Sequence, residues 1–152
     1  YPFSVENDWY RGHANIASFE PEELFATKLR AFLQRRKNRD LFDLFEGWKL
    51  LALNGDKLMA CFEHYLALEG NVITRANAEE VMLKKLAKNL TEDVSPLLPT
   101  GIRFDESDAI AAFGLVWTEL LGRMKGDPWK LSTQIVAKFR QERYPQLLAG
   151  LV

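Results

Sequence analysis

The 152-residue chain has one cysteine, Cys61, so no internal disulfide can staple it, and a reducing, cytoplasmic setting is expected. It has no apolar run near the ~20 residues of a membrane span and no opening signal peptide, which excludes a helical membrane anchor within these residues. Its nine glycines form neither a P-loop nor a dinucleotide fingerprint, and no serine sits in a nucleophile elbow. Nor is there an excess of one charge: 20 Lys plus Arg stand against 21 Asp plus Glu, a net charge of -1. That balance rules out a polycation built to coat nucleic acid and an acidic disordered tail alike. What is present, 47% hydrophobic and 27% charged residues, is the composition of a soluble globular domain. A domain of this length buries roughly two-thirds of the surface its unfolded chain exposes. The first residue is Tyr1 rather than Met, from which a piece of a longer chain is expected.

The pattern along the chain predicts a mainly α fold, a bundle of about six helices preceded by a short strand pair. Residues 1–19 carry aromatic and β-branched residues around a turn-like Asn7 to Gly12, and read as two strands. Residues 20–152 read as helical. Pro21 suits a first helical position, with Glu22 and Glu23 at the positive end of the dipole, in a helix running to about Lys37. Asn38 is a candidate cap for a second helix with Leu41, Leu44, Phe45, Trp48 and Leu51 on its buried face and Gly55-Asp56 at its close. A third helix is expected from about Asp56 to Leu68 and a fourth from about Arg75 to Leu90, the latter with Lys84, Lys85 and Lys88 clustered. Ser95 to Gly101, with two prolines, reads as a loop. Asp105 would cap a fifth helix whose apolar stripe includes Ile110, Phe113, Trp117 and Leu120, and Asp127-Pro128 would open a sixth.

The segment Glu22 to Leu44 carries the most chemistry. Leu24, Phe25, Leu29, Phe32 and Leu33 cover one half of the first helix, and Lys28 falls inside that arc. An ammonium placed there must snorkel out, find an acid or meet an anionic ligand, because burying it alone is costly. From Leu24 to Arg39 there are six bases, Lys28, Arg30, Arg35, Arg36, Lys37 and Arg39, and no acid. Then Asp40 and Asp43 follow at a spacing of three, on one face of a helix. Cations that hold phosphates beside paired carboxylates are the set that phosphoryl transfer needs. Spacing alone equally allows a solvated basic face and a salt-bridged helix junction.

The words ELFATKLRAFLQRRKNRDLFDL, Glu23 to Leu44, resemble the signature of the AbiEii/AbiGii-type nucleotidyltransferase toxins, E-L-x-A-T-K-L-R-A-L followed by R-x-x-x-R-D-x-x-D-L. In that family a small α/β core is joined to a helical C-terminal part, and the toxins act in bacterial toxin–antitoxin or abortive-infection systems. The resemblance implies that Lys28 is the lysine that binds the nucleoside triphosphate and Asp43 the late essential aspartate, with Arg39 and Asp40 in support. It implies a transfer of a nucleotidyl group from an NTP, with Mg²⁺, to RNA or another acceptor, with Arg35, Arg36 and Lys37 in contact with phosphate or RNA. An antitoxin is an implied partner; the oligomeric state is not implied.

Two motifs of such enzymes are absent. No Gly-Gly or Gly-Ser turn and no Asp-x-Asp pair precedes Lys28, where only Gly12 and Asp8 occur. The expectation is therefore that residues 1–19 are the end of a nucleotidyltransferase core, that residues 20–152 are its helical partner domain, and that this chain alone neither binds the metal nor turns over. A rival from another class is a non-catalytic helical module that contacts RNA or a protein through the basic first helix. Cys61, His64 and the distant His13 make a poor zinc set. Trp48 and Trp117 lie on apolar stripes and are expected in the core, whereas Trp9 and Trp129 are not assigned.

Overall fold

The computed structural model describes residues 2–149. Strands β1 (Pro2–Glu6) and β2 (Arg11–Asn15) form an antiparallel hairpin in which Ser4 pairs with His13. The Asn7 side chain builds its turn, accepting the N–H groups of Trp9 at 3.0 Å and Tyr10 at 2.8 Å. The hairpin buries little: Phe3, Trp9 and Tyr10 are all exposed, Trp9 by 95%. An isolated two-stranded ribbon is marginal in water, so this one is the least self-supporting part of the chain.

Among the described residues six α-helices follow: α1 (Pro21–Gln34), α2 (Arg39–Leu50), α3 (Gly55–Leu68), α4 (Arg75–Leu86), α5 (Glu106–Leu115) and α6 (Ser132–Glu142). Pro21 takes the first helical position of α1 as expected. Asn54, Thr74 and Asp105 cap α3, α4 and α5 through their side chains, the last two with reciprocal capping boxes. The stripe on α5 continues through a π-helical turn, Val116–Leu120, and a 3-10 turn, Leu121–Arg123, and stays buried from Ile110 to Met124. Trp117 stacks on Phe113 with ring centroids 5.7 Å apart and lies in the core, and Trp48 and Trp129 pack against that core.

Helix α1 is the axis of the bundle. It packs on α2 and α3 and touches α4, while α2 rests on α5 and α6 rests on α4. The α1–α2 contact is close because Gly47 lets it be: a Cβ there would lie 2.0 Å from the Phe25 ring. Among the described residues no helix is long and apolar enough to cross a membrane.

Several boundaries differ from the pattern-based expectation. Helix α1 stops at Gln34 and α4 at Leu86, several residues short of Lys37 and Leu90. Helix α2 closes at Leu50, and Gly55 opens α3 instead of ending α2. Helix α6 begins at Ser132, well after Asp127-Pro128, because the Glu79 carboxylate binds Trp129 N–H and the Ser132 hydroxyl and folds the intervening residues into a turn. Leu24 and Leu51 are exposed: Leu24 lies in the first turn of α1 and Leu51 follows the end of α2, at the margins of the faces their spacing suggested.

Candidate functional site

The turn between α1 and α2 brings Lys28, Asp40 and Asp43 together. Lys28, on α1, sends its Nζ to Oδ2 of Asp43, one turn into α2, at 2.7 Å. The same ammonium is 3.8 Å from Oδ1 of Asp40, in the first turn of α2. Lys28 therefore finds an acid, two in fact. The carboxylates differ in environment: the Asp43 side chain is 37% exposed and that of Asp40 only 3%.

Asp40 is the unusual group. Its Oδ2 is buried and makes no hydrogen bond among the described residues. Burial pushes its carboxyl above the usual range; the Lys28 charge opposes that shift and the Asp43 charge adds to it. A carboxylate desolvated on one side and facing an ammonium on the other suits a group that receives a proton or tunes a neighbouring cation.

The turn itself is held from α4. Lys85, 7% exposed, donates to the carbonyl oxygens of Arg35 at 2.7 Å and Lys37 at 3.0 Å, and to Asn38 Oδ1 at 3.4 Å. Its ammonium also lies 4.8 Å from the Phe32 ring centroid. Asn38 precedes α2 as expected, but its side chain serves Lys85 and makes no cap bond, while its N–H donates to Asp93 Oδ2 at 2.7 Å. Burial lowers the Lys85 pKa to about 8, and the nearby Asp93 and Asp40 charges limit the fall. The role of Lys85 was not visible in the sequence beyond its membership of the α4 lysine cluster. Asp93 carried no signal there at all.

Arg35, Arg36, Lys37 and Arg39 are exposed and make no ion pair among the described residues. They flank the Lys28–Asp43 pair and do not join it. Arg30, the sixth base, is turned to α3, where it pairs with Glu69 at 2.5 Å.

The family profile described as "Nucleotidyl transferase AbiEii toxin, Type IV TA system" matches residues 1–119, from the hairpin to within the π-helical turn. The chain belongs to this family. The AbiEii family comprises nucleotidyltransferase toxins of type IV toxin–antitoxin systems, and membership implies an antitoxin as counterpart. No curated protein and no solved structure gives a significant match.

AbiEii-type transfer implies an NTP and a divalent metal, and the residues here can be tested against the metal. Mg²⁺ needs near-octahedral oxygen ligands, with one or two carboxylates turned toward it. Asp40 and Asp43 are the nearest such pair, but the Lys28 ammonium already stands against both. Among the described residues no group of three or more His, Cys, Asp and Glu side chains is gathered in metal-binding range. This donor set does not fit Mg²⁺.

Proposed function

We propose that the chain is the lysine-bearing helical part of an AbiEii-type toxin that moves a nucleotidyl group from an NTP to RNA or another hydroxyl acceptor. The observation that carries this reading is the Lys28–Asp43 contact at 2.7 Å, with buried Asp40 behind it. Lys28 sets its positive charge against the triphosphate, where negative charge grows as the α-phosphorus leaves pyrophosphate. Asp43 holds that ammonium in place and, being about one-third exposed, can take the proton from the acceptor hydroxyl as its oxygen bonds to the α-phosphorus. Arg39 and Asp40 support the pair, and Arg35, Arg36 and Lys37 contact phosphate or RNA.

In this reading residues 1–19 are the last piece of a nucleotidyltransferase core and residues 20–152 its helical domain. Two features support the division: the Gly-Gly or Gly-Ser turn and the Asp-x-Asp pair are missing from the sequence, and the exposed aromatic hairpin buries little against the helices. The metal is assigned to no residue here, and the separate chain is proposed to be inactive. The expected setting is the cytoplasm of a bacterium, with an antitoxin as partner.

The test is transfer from radiolabelled NTPs to total RNA by the full-length toxin carrying Lys28→Ala or Asp43→Ala. Both variants are expected to lose transfer and toxicity while keeping a native circular dichroism spectrum. A Lys28→Ala toxin with wild-type transfer would sink the assignment.

A further inference from the structure

The lysine cluster at the end of α4, Lys84 and Lys85 with Lys88 just beyond, is left unused by the reading above. It faces the end of α1 across a cavity of about 240 Å³, whose basic lining is Arg35, Arg36, Lys84, Lys85 and Lys88. Leu33 and Val81 supply apolar surface, and among the described residues no carboxylate lines the cavity.

This cleft is built rather than incidental. Lys85 spends its protons on the Arg35 and Lys37 carbonyls and so fixes the residues after α1 in an extended turn, with Arg35 at φ -99° and ψ 158°. Arg35 and Arg36 thereby line the cleft together with Lys84 and Lys88. Among the described residues Lys84 alone of these bases makes an ion pair, with Glu80 at 2.6 Å, an exposed i,i+4 contact of the kind that contributes little. Arg35, Arg36 and Lys88 make no ion pair among the described residues, and Lys88 is close enough to Lys85 to help depress its pKa. Like charges gathered this way raise the free energy of the empty cleft, and a bound anion relieves it.

Size and placement select the anion. The cavity is smaller than the ~300 to 1,000 Å³ of sites that enclose a small molecule, so it seats one segment of something longer. Its bases come from two segments distant in the chain, the end of α4 and the residues after α1, as contacts to a backbone passing between them do. Lys28 lies six residues before Gln34, the last residue of α1, so about 9 Å along the axis separates it from the helix end that enters the cleft.

We propose that this cleft grips the sugar-phosphate backbone of a single-stranded nucleic acid, through Arg35, Arg36, Lys84 and Lys88, and leads the strand toward Lys28 and Asp43. The inference deepens the acceptor half of the proposed function and rests on that reading for why a strand belongs there.

The experiment measures binding of fluorescein-labelled ten-nucleotide oligo(U) and oligo(dT) to the chain over a series of salt concentrations. Single-strand affinity falls with log salt at a slope of about -0.7 per phosphate contact. The double variant Arg36→Ala/Lys88→Ala is expected to flatten the slope by roughly 1.4 and weaken low-salt binding about tenfold. A double variant outside the cleft with the same change in charge, Lys125→Ala/Lys138→Ala, is expected to leave the slope unchanged. The arm with the larger loss identifies RNA or DNA as the ligand. An unaltered slope in the cleft variant, or an equal loss in the control, overturns the proposal. Transfer by the full-length Lys28→Ala toxin, read beside the salt slope of the cleft variant, separates this from the transferase reading. If Lys28→Ala still transfers while the cleft variant loses its slope, the transferase assignment fails and the cleft stands.

Discussion

Lys28 Nζ meets Asp43 Oδ2 at 2.7 Å across the α1–α2 turn, with both side chains about one-third exposed. At that exposure an ion pair contributes little to stability, about 0 to 1 kcal/mol, because water screens it and two side chains must be ordered to make it. A purely structural pair would therefore be nearly silent. A double-mutant cycle with Lys28→Ala and Asp43→Ala, followed by urea denaturation, is expected to give a coupling energy below about 1 kcal/mol. In the full-length toxin each single variant is expected to cost transfer roughly a hundredfold or more, the scale of losing charge stabilisation or a proton acceptor. A large coupling energy with little loss of transfer would make the pair a helix clamp instead.

Asp40 behaves in the opposite way, because its cost is desolvation. Its folded-state pKa is raised above the ordinary 3.8, so the native state binds the proton more readily than the unfolded chain does. The protonated form contributes stability at low pH, and that contribution is lost as pH rises through the folded value. Asp40→Asn is thus expected to be more stable than wild type at pH 7, with the gap closing on acidification. Thermal melts of both proteins between pH 4 and 7 check this. An Asp40→Asn protein less stable than wild type at pH 7 would mean that the charge itself holds Lys28 and the helix start together.

The parts of this site legible in the sequence are those set by local geometry. Lys28 stood out because its angle on α1 falls among buried leucines and phenylalanines, and Asp40 with Asp43 because three residues is one helical turn. That the two helices would fold so as to join them was not in the spacing. Nor was the end of α1. The carbonyls of Arg35 and Lys37 are taken by an ammonium 50 and 48 residues away in the chain, and helical periodicity carries no trace of such a competitor. The start of α6 was misplaced for the same reason, since the carboxylate that shapes the preceding turn belongs to α4. Local capping signals were read correctly at Asp105, where donor and acceptor are three residues apart.

Glu79 illustrates how much such a distant partner can matter. Its side chain is 1% exposed and accepts from Arg75 Nε at 3.0 Å, Trp129 N–H at 2.9 Å and Ser132 Oγ at 2.5 Å. Removing it strands a partly buried guanidinium and two donors at once. Glu79→Ala is expected to cost about 3 kcal/mol or more in urea denaturation, with early loss of protection for α6 in hydrogen exchange. Glu79→Gln keeps an acceptor oxygen and is expected to cost clearly less. Equal losses for the two variants would place the stabilisation in charge rather than in hydrogen bonding.

Lys85 gives the fold a pH dependence of opposite sense to that of most paired lysines. An unfolded lysine releases its proton near 10.5, whereas burial brings this one to about 8 in the folded chain, with Asp93 and Asp40 pulling it up and Lys88 pushing it down. Between those values the unfolded state holds more protons than the native state, so stability rises with pH across that window. Below pH 8 both states are protonated and the desolvation penalty is fully present. The shift corresponds to up to about 3 kcal/mol at ~1.4 kcal/mol per unit. Lys85→Met forfeits the hydrogen bonds to the Arg35 and Lys37 carbonyls and is expected to be less stable than wild type at every pH, but without this slope. The stability difference between the two proteins should therefore widen from pH 8 to pH 10.5 in paired urea titrations. A constant difference would show that hydrogen bonding, not burial, dominates the energetics of this ammonium, and that the turn presenting Arg35 and Arg36 is held equally well across the range.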